Sequence, residues 1–461
     1  MAVKMRVVQG DADVSEDVSG DRGRRVEAQT DLNAGDLALQ AQALAAVLLP
    51  ELWGSHCHKC FSSGTRLSRC GRCRTAFYCS RACQQADWQP DHRQECKSLA
   101  QLASLGLRSD QVADVLLLGR VMRREEADGV KPQELVWYQE DVEDQELLLL
   151  AALAQKLKLV DDSYLMEELQ RMLSRFRNNN FSICDELLLE LGAGCFPLSA
   201  MINHSCEPNC AVTFVPRTLV MEFRAMTPIK AGQEITQTYV DIALPRRERH
   251  QRLQQKYHFL CECARCSLPL QRPGNVDAFL DADIDGVPQE QWTQERQEAV
   301  QRALKEFSDD KGRSAAGATD PAGQQHIDAL QKLLEQQSGI LHRDNIALLQ
   351  TLSTLFSAEM ERGSVEEAIQ YGERVLEFYR RVYHSNHPMT GLHVFTLGDL
   401  YGQLAQTGTG SENSKAKSSE YLAEAQRILR ITHGKNHRFA EMLADRLHNA
   451  PVPVWATCNR L

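Results

Sequence analysis

The sequence predicts an α+β chain. A β-rich core is interrupted by a cysteine-rich metal-binding block and a helical insert, and is followed by a second cysteine cluster and an all-helical C-terminal region. Three observations predict this. Seven of the fifteen cysteines lie between positions 57 and 96, and three more between 261 and 266. β-branched and aromatic runs, punctuated by Gly192, Gly194, Pro208 and Gly232, fill residues 179–242. Apolar residues at helical spacing fill 99–178 and the chain beyond 290.

The elements follow in order. Residues 1–50 open the core, with an apolar stretch from 37 to 49 and Asn33-Ala34-Gly35-Asp36 as its turn. Residues 51–98 hold the cysteine block. Residues 99–178 read as helices, because Leu102, Leu105, Val112, Val115 and Leu116, and later Leu147, Leu150, Leu153 and Leu157, recur on one face. In 179–243, the segments 181–183, 212–215, 219–223 and 234–239 read as strands. Residues 244–270 begin with the basic helix RRERHQRLQQKY and end in the second cluster. Residues 271–461 are helical, with 308–325 and 408–419 as exposed loops. There Tyr371, Arg380, Asn386 and His387 recur fifty residues later as Tyr421, Arg430, Asn436 and His437, a period that suits stacked helix pairs of the tetratricopeptide kind.

Composition excludes several classes. With 43% apolar and 25% charged residues the 461-residue chain is neither disordered nor fibrous. The longest apolar run, 147–154, has eight residues against the roughly 20 that a membrane span needs. The N-terminus has no apolar core of signal-peptide length, so a soluble protein of the cytoplasm and nucleus is expected. A net charge of −10 argues against a nucleic-acid coat. Gly192-Ala193-Gly194 lacks the third glycine of a dinucleotide loop. Cys206 beside His204 could suggest a nucleophile, but metal binding explains its neighbours better.

The first cluster runs Cys57-x2-Cys60, Cys70-x2-Cys73, Cys79-x3-Cys83 and His92-x3-Cys96. Zinc takes four such ligands, so eight imply two closed structural sites. Forty residues with few large apolar side chains cannot build a core alone, and metal binding would supply the folding free energy. His56 and His58 read as bystanders, since His92 completes the count. The block holds seven Lys/Arg and three Asp/Glu. Seven thiolates and two Zn2+ reduce that net charge of +4 to about +1, which makes a nucleic-acid surface improbable. Trp88 and Phe77 could form the block's small core.

With Tyr78-Cys79-Ser80-Arg81-Ala82-Cys83-Gln84, Trp88, His92 and Cys96, this block resembles the MYND zinc finger. That resemblance implies interleaved sites, Cys57, Cys60, Cys79 and Cys83 in one and Cys70, Cys73, His92 and Cys96 in the other, and proline-rich peptides as possible partners on a face that Trp88 and Phe77 could line. Asn203-His204-Ser205-Cys206-Glu207-Pro208-Asn209-Cys210, with Gly232-Gln233-Glu234-Ile235-Thr236-Gln237-Thr238-Tyr239, resembles the paired motifs of SET-domain lysine methyltransferases. The whole order then resembles the SET-and-MYND family: a SET core split by a MYND finger and a helical insert, a zinc-binding post-SET segment, and a TPR-like helical domain.

The resemblance implies methyl transfer from S-adenosylmethionine to a lysine of a histone or another protein. Tyr239 matches the active-site tyrosine, whose hydroxyl orients the methyl group. Tyr257 and Phe259 match the aromatic residues that close the lysine channel, and each could instead serve only the core. Cofactor contacts fall on Arg22, Gly23, Arg24, Asn179, Asn203, His204, Tyr239 and Phe259. Cys261-x-Cys263-x2-Cys266 supplies three ligands, and Cys206 supplies the fourth in the resembling family, for three Zn2+ in all. Arg25 stands where a second glycine is usual and Ala200 where serine is frequent. On those departures rests the alternative of a catalytically weak adaptor that binds peptides through its finger and helices. Residues 131–170 carry a net charge of −7, either a solvated face or a field that steers lysine-rich substrates. The helical tail could wall the substrate cleft of a monomer.

Overall fold

The computed structural model describes residues 24–64, 66–301, 321–406, 412–435, 437–438 and 442–443, with backbone alone for Met5–Gln9 and for 321 and 322. Arg22, Gly23 and Cys458 lie outside the described residues. The chain divides into two compact units. One is built from the chain up to Asn203 together with Asn209–Gln237. The other is built from His204–Pro208 and the chain from Thr238 onward.

The first unit holds small antiparallel sheets. Leu37–Ala41 pairs with Val220–Ala225, which pairs with Cys210–Val215. Ala45–Leu48 and Asn180–Cys184 flank Glu190–Cys195. Arg24–Ala28 pairs with Met5–Gln9 on one side, and its Val26 and Ala28 bond the 233–235 segment on the other. The turn before Leu37 forms as expected: Gly35 takes φ +91°, and the Asp36 carboxylate accepts the Asn33 N–H at 2.9 Å. Helices Ser109–Val121, Gln145–Lys156 and Met166–Asn179 make the insert, and their Val115, Leu117, Leu118, Ala151 and Leu173 are buried.

Two expectations for this unit need correction. The 234–239 strand is confined to Thr236–Gln237. Glu190–Cys195 is a strand that periodicity does not announce, because its glycines present no side chain to read. They are there for packing. A Cβ at Gly192 would lie 2.2 Å from the Val47 carbonyl and 2.6 Å from the Phe61 ring, and one at Gly194 would meet Phe196 at 2.7 Å. That close approach, rather than phosphate binding, explains the Gly-Ala-Gly.

The finger is fastened to the insert by buried ion pairs. Arg120 grips Glu95 through Nε and Nη2 at 2.9 and 2.8 Å. Arg123 reaches Glu95 at 3.1 Å, and Arg124 grips Asp91 at 2.8 and 2.7 Å. Burial alone would lower the Arg120 pKa, but the Glu95, Asp87 and Asp91 carboxylates together outweigh it and the guanidinium is held well above its ordinary value. Asp91 and Glu95 each precede an expected metal ligand, His92 or Cys96, so the clamp holds the turn that carries both.

The second unit is mainly helical. Arg246–Tyr257 is the basic helix, as expected. Helices Pro321–Ser338, Ile346–Arg362, Val365–Val382, Pro388–Gln406 and Glu412–Thr432 follow, each packed on the next. Tyr371 and Tyr421 both lie on helices of this array, in keeping with the repeat, whereas Asn436 falls outside the described residues. Two loops are shorter than expected: the Pro321 helix begins inside 308–325, and the Glu412 helix takes up most of 408–419. Among the described residues no helix is long and apolar enough to cross a membrane.

Candidate active site and zinc centres

The twelve expected metal ligands gather into three groups of four, each with its donor atoms within 4.8 Å of one another. These are Cys57, Cys60, Cys79 and Cys83; Cys70, Cys73, His92 and Cys96; and Cys206, Cys261, Cys263 and Cys266. A tetrahedral ion with Zn–S bonds near 2.3 Å separates its sulfurs by about 3.8 Å. Here Cys60 and Cys79 lie 3.7 Å apart, Cys70 and Cys96 3.9 Å, and Cys206 and Cys266 3.5 Å. A disulfide would need about 2.05 Å, so the thiols are arranged for a metal. The three clusters are zinc sites by donor set and geometry.

Local structure sets each group. The Ser80 hydroxyl caps the Arg81–Asp87 helix by accepting the Cys83 N–H at 3.1 Å, which places Cys83 one turn from Cys79. His58 stays outside the ligand groups: its Nδ1 accepts the Phe77 N–H at 3.0 Å. Trp88 is half-buried, with the Arg72 guanidinium 5.3 Å over its ring and His92 at 5.7 Å. Phe77 is half-buried as well.

In the second unit the third cluster sits beneath an aromatic box. Tyr239, Tyr257 and Phe259 pack on Cys206, Leu253, Cys261, Cys263 and Cys266. The rings of Tyr239 and Tyr257 are 4.8 Å apart, those of Tyr239 and Phe259 6.5 Å at 85°, and those of His204 and Phe259 6.2 Å. His258 makes the box possible. It ends the Arg246–Tyr257 helix in the left-handed region, at φ +57°, and turns the chain between Tyr257 and Phe259, both of which pack against the Tyr239 ring.

The expected cofactor residue His204 has a further task. Its Nδ1 accepts the Tyr239 N–H at 2.9 Å, which leaves the proton on Nε2, and Nε2 lies 3.3 Å from the Cys206 sulfur. One imidazole therefore ties the backbone of the tyrosine loop to a zinc ligand.

Arg249, fully buried, was not legible as a functional residue. Its Nε lies 3.2 Å from the Cys206 sulfur and its Nη2 3.6 Å from that of Cys266. Its two terminal nitrogens grip Asp277 at 2.9 and 2.8 Å, and Arg265 adds a contact of 2.6 Å. Burial alone would raise Asp277. The hydrogen bond from Arg249 and the charges of Arg265 and Arg249 outweigh it and hold the carboxyl below its usual range. A zinc ion held by four thiolates leaves the site with a net negative charge, and Arg249 offsets part of it inside the core.

The other expected cofactor residues lie in the first unit. Asn203 Nδ2 donates to the Arg24 carbonyl at 2.7 Å and to Glu234 Oε1 at 2.9 Å. Asn179 Nδ2 donates to the Val136 and Arg175 carbonyls, each at 2.8 Å, and Arg24 Nη1 donates to the Glu134 carbonyl at 2.8 Å. These side-chain donors serve the protein itself, so Asn203 and Asn179 would meet a ligand through their carbonyl oxygens or their backbone. Arg25 bonds Glu27 at 2.7 Å. Within the acidic 131–170 stretch, Asp144 and Glu146 pair with Arg177 at 2.7 and 3.0 Å, which cancels part of that field.

Comparison with known proteins accords with this geometry. The MYND finger family model matches residues 57–96. The human histone-lysine N-methyltransferase SMYD3 is 28% identical over 95% of this chain and 97% of its own. The mouse N-lysine methyltransferase SMYD2 is 28% identical over 94% and 97%. The Arabidopsis thaliana histone-lysine N-methyltransferase ASHR1 is 29% identical over 93% of each. A crystal structure of the SET domain of LSMT bound to lysine and AdoHcy aligns at a TM-score of 0.34 and 13% identity over 91% of this chain and 94% of that one, a likeness too low to carry an argument.

Proposed function

We propose that this chain, which is similar to lysine methyltransferases over nearly its whole length, transfers a methyl group from S-adenosylmethionine to a lysine side chain of a histone or non-histone protein. The observation that carries the reading is the box of Tyr239, Tyr257, Phe259 and His204 seated on the third zinc cluster. The histone-lysine and N-lysine methyltransferase relatives support it.

The chemistry of the box suits the task. Aromatic faces attract an arriving ammonium. A low-polarity channel then favours the neutral amine, which is the nucleophile, over a free lysine of pKa about 10.4. Fixed rings align the amine with the methyl group, and alignment lowers the barrier. In this reading the Tyr239 hydroxyl orients the methyl group, and Tyr257 and Phe259 wall the channel. S-adenosylmethionine supplies an activated methyl on a sulfonium. Arg22, Gly23, Arg24, Asn179, Asn203, His204, Tyr239 and Phe259 are the residues that would hold it. With it bound, the amine would bond to the methyl carbon as the carbon–sulfur bond breaks, the neutral thioether would leave, and the amine proton would pass to solvent.

Further assignments follow from the same reading. The finger takes proline-rich peptides through Trp88 and Phe77, and the chain works as a monomer in cytoplasm and nucleus. Calorimetry with S-adenosylmethionine, followed by transfer of a labelled methyl group to lysine peptides, tests the main claim. Micromolar binding and transfer that Tyr239→Phe reduces are expected. An absence of binding at millimolar cofactor would instead favour the adaptor.

A further inference from the structure

The loop after Tyr239 is held at its far end by a residue of the helical array. Asp241, exposed and two positions beyond Tyr239, accepts two hydrogen bonds on Oδ1. The Ala243 N–H donates at 2.8 Å and the Tyr383 hydroxyl at 3.3 Å. The Leu244 N–H donates to the Asp241 carbonyl at 3.3 Å, so Asp241 organises the turn that leads into the Arg246 helix. At the near end the Tyr239 N–H is held by His204. The loop that carries the active-site hydroxyl is therefore pinned at both ends, one pin reaching the zinc cluster and the other the helices.

Tyr383 is built to be a rigid donor. It caps the Val365–Val382 helix, and its N–H donates to the Tyr379 carbonyl at 2.8 Å. Its ring stacks on His387 at 4.3 Å and 8°, and meets Tyr379 edge-on at 5.1 Å. Burial first, and the nearby Asp241 charge second, push the phenol above its ordinary range, so the hydroxyl keeps its proton throughout physiological pH. A ring packed on two sides cannot follow a moving loop. It fixes Asp241 at one place.

We propose that Tyr383 is a positioning residue for methyl transfer, acting through Asp241 on the loop that carries Tyr239. The inference rests on the lysine-methyltransferase reading and extends it, because it makes the helical region part of the catalytic apparatus. Tyr383 touches no reacting atom. Its effect passes through one carboxylate oxygen.

Tyr383→Phe removes the hydroxyl and keeps the ring, and the full-length, zinc-loaded chain is the sample. The variant should lower kcat by about threefold to tenfold, the worth of one hydrogen bond. Peptide KM and cofactor Kd should stay within about twofold, since no substrate contact is lost. Asp241→Ala, which removes the accepting oxygen, should act at least as strongly. The double variant should be no worse than Asp241→Ala alone, because both changes break one link. Hydrogen exchange at residues 239–244 should quicken in Tyr383→Phe. Unchanged kcat, or additive losses in the double variant, would overturn the proposal. If the wild-type chain transfers no methyl group, the parent reading fails. The exchange measurement then decides the coupling alone, with faster exchange supporting it and unchanged exchange overturning it.

Discussion

The finger and the third zinc cluster use the same ligands in different ways. The finger draws eight ligands from forty consecutive residues, and Cys79 stays exposed. The third cluster joins Cys206 to a trio 55 to 60 residues later, and all four of its sulfurs are buried. A local site organises its own short segment. A distant one closes a loop of the chain, and here it brings His204, Tyr239 and Tyr257 to one place. Each cluster is flanked by buried arginine–carboxylate pairs, but their targets differ. Arg120 grips Glu95, which adjoins a ligand, whereas Arg249 touches two ligand sulfurs themselves. The first pair anchors a folded module, and the second is part of its metal site.

That contrast can be broken by removing each carboxylate. Asp277→Ala should cost about 3–5 kcal/mol, because it leaves Arg249 and Arg265 buried and unpaired. It should also release one zinc of three on dialysis. Glu95→Ala should destabilise by a similar amount and keep all three zincs. Denaturant unfolding with zinc analysis of the same samples checks both, and equal zinc loss in the two variants would erase the distinction.

Acid sharpens the comparison next, through His387 and His393 of the helical unit. Burial pushes His387 and His393 down to about 4, while an unfolded imidazole titrates near 6.5. As pH falls the unfolded chain binds those protons first. The stability from this source is whole above about pH 6.5 and is lost towards pH 4, at about 1.4 kcal/mol per pH unit for each histidine. Replacing both with glutamine should flatten the decline in unfolding free energy over that window. An unaltered slope would show that the imidazoles do not set it.

The smallest effect concerns the first unit alone. Gly192→Ala must displace both the Val47 carbonyl and the Phe61 ring, at a cost of about 1–3 kcal/mol. Melting should move down with methyl transfer at low temperature unchanged, and a loss of transfer at low temperature would contradict a purely local effect.

Much of this was legible because zinc ligands announce themselves. Cysteine pairs two or three residues apart are a local chemical pattern, and the three clusters, the basic helix and the helical array could be read from it and from helical spacing. Cys206 was assigned only through the family resemblance, since nothing local links it to Cys261. The strand of Gly192 and Gly194 escaped because its side chains are missing where a period would be read. The tertiary links escaped for another reason. Arg120 with Glu95, Arg249 with Asp277 and Tyr383 with Asp241 are separated by 25, 28 and 142 residues. Such pairs follow no period, and only the folded backbone brings them within reach.

The account turns on the third zinc cluster as the frame of the aromatic box. Cys263→Ser tests it most directly, with zinc content and methyl transfer measured on one sample. The account predicts two zincs, an intact finger and transfer reduced by about a hundredfold or more. A two-zinc protein that methylates lysine at the wild-type rate would contradict it.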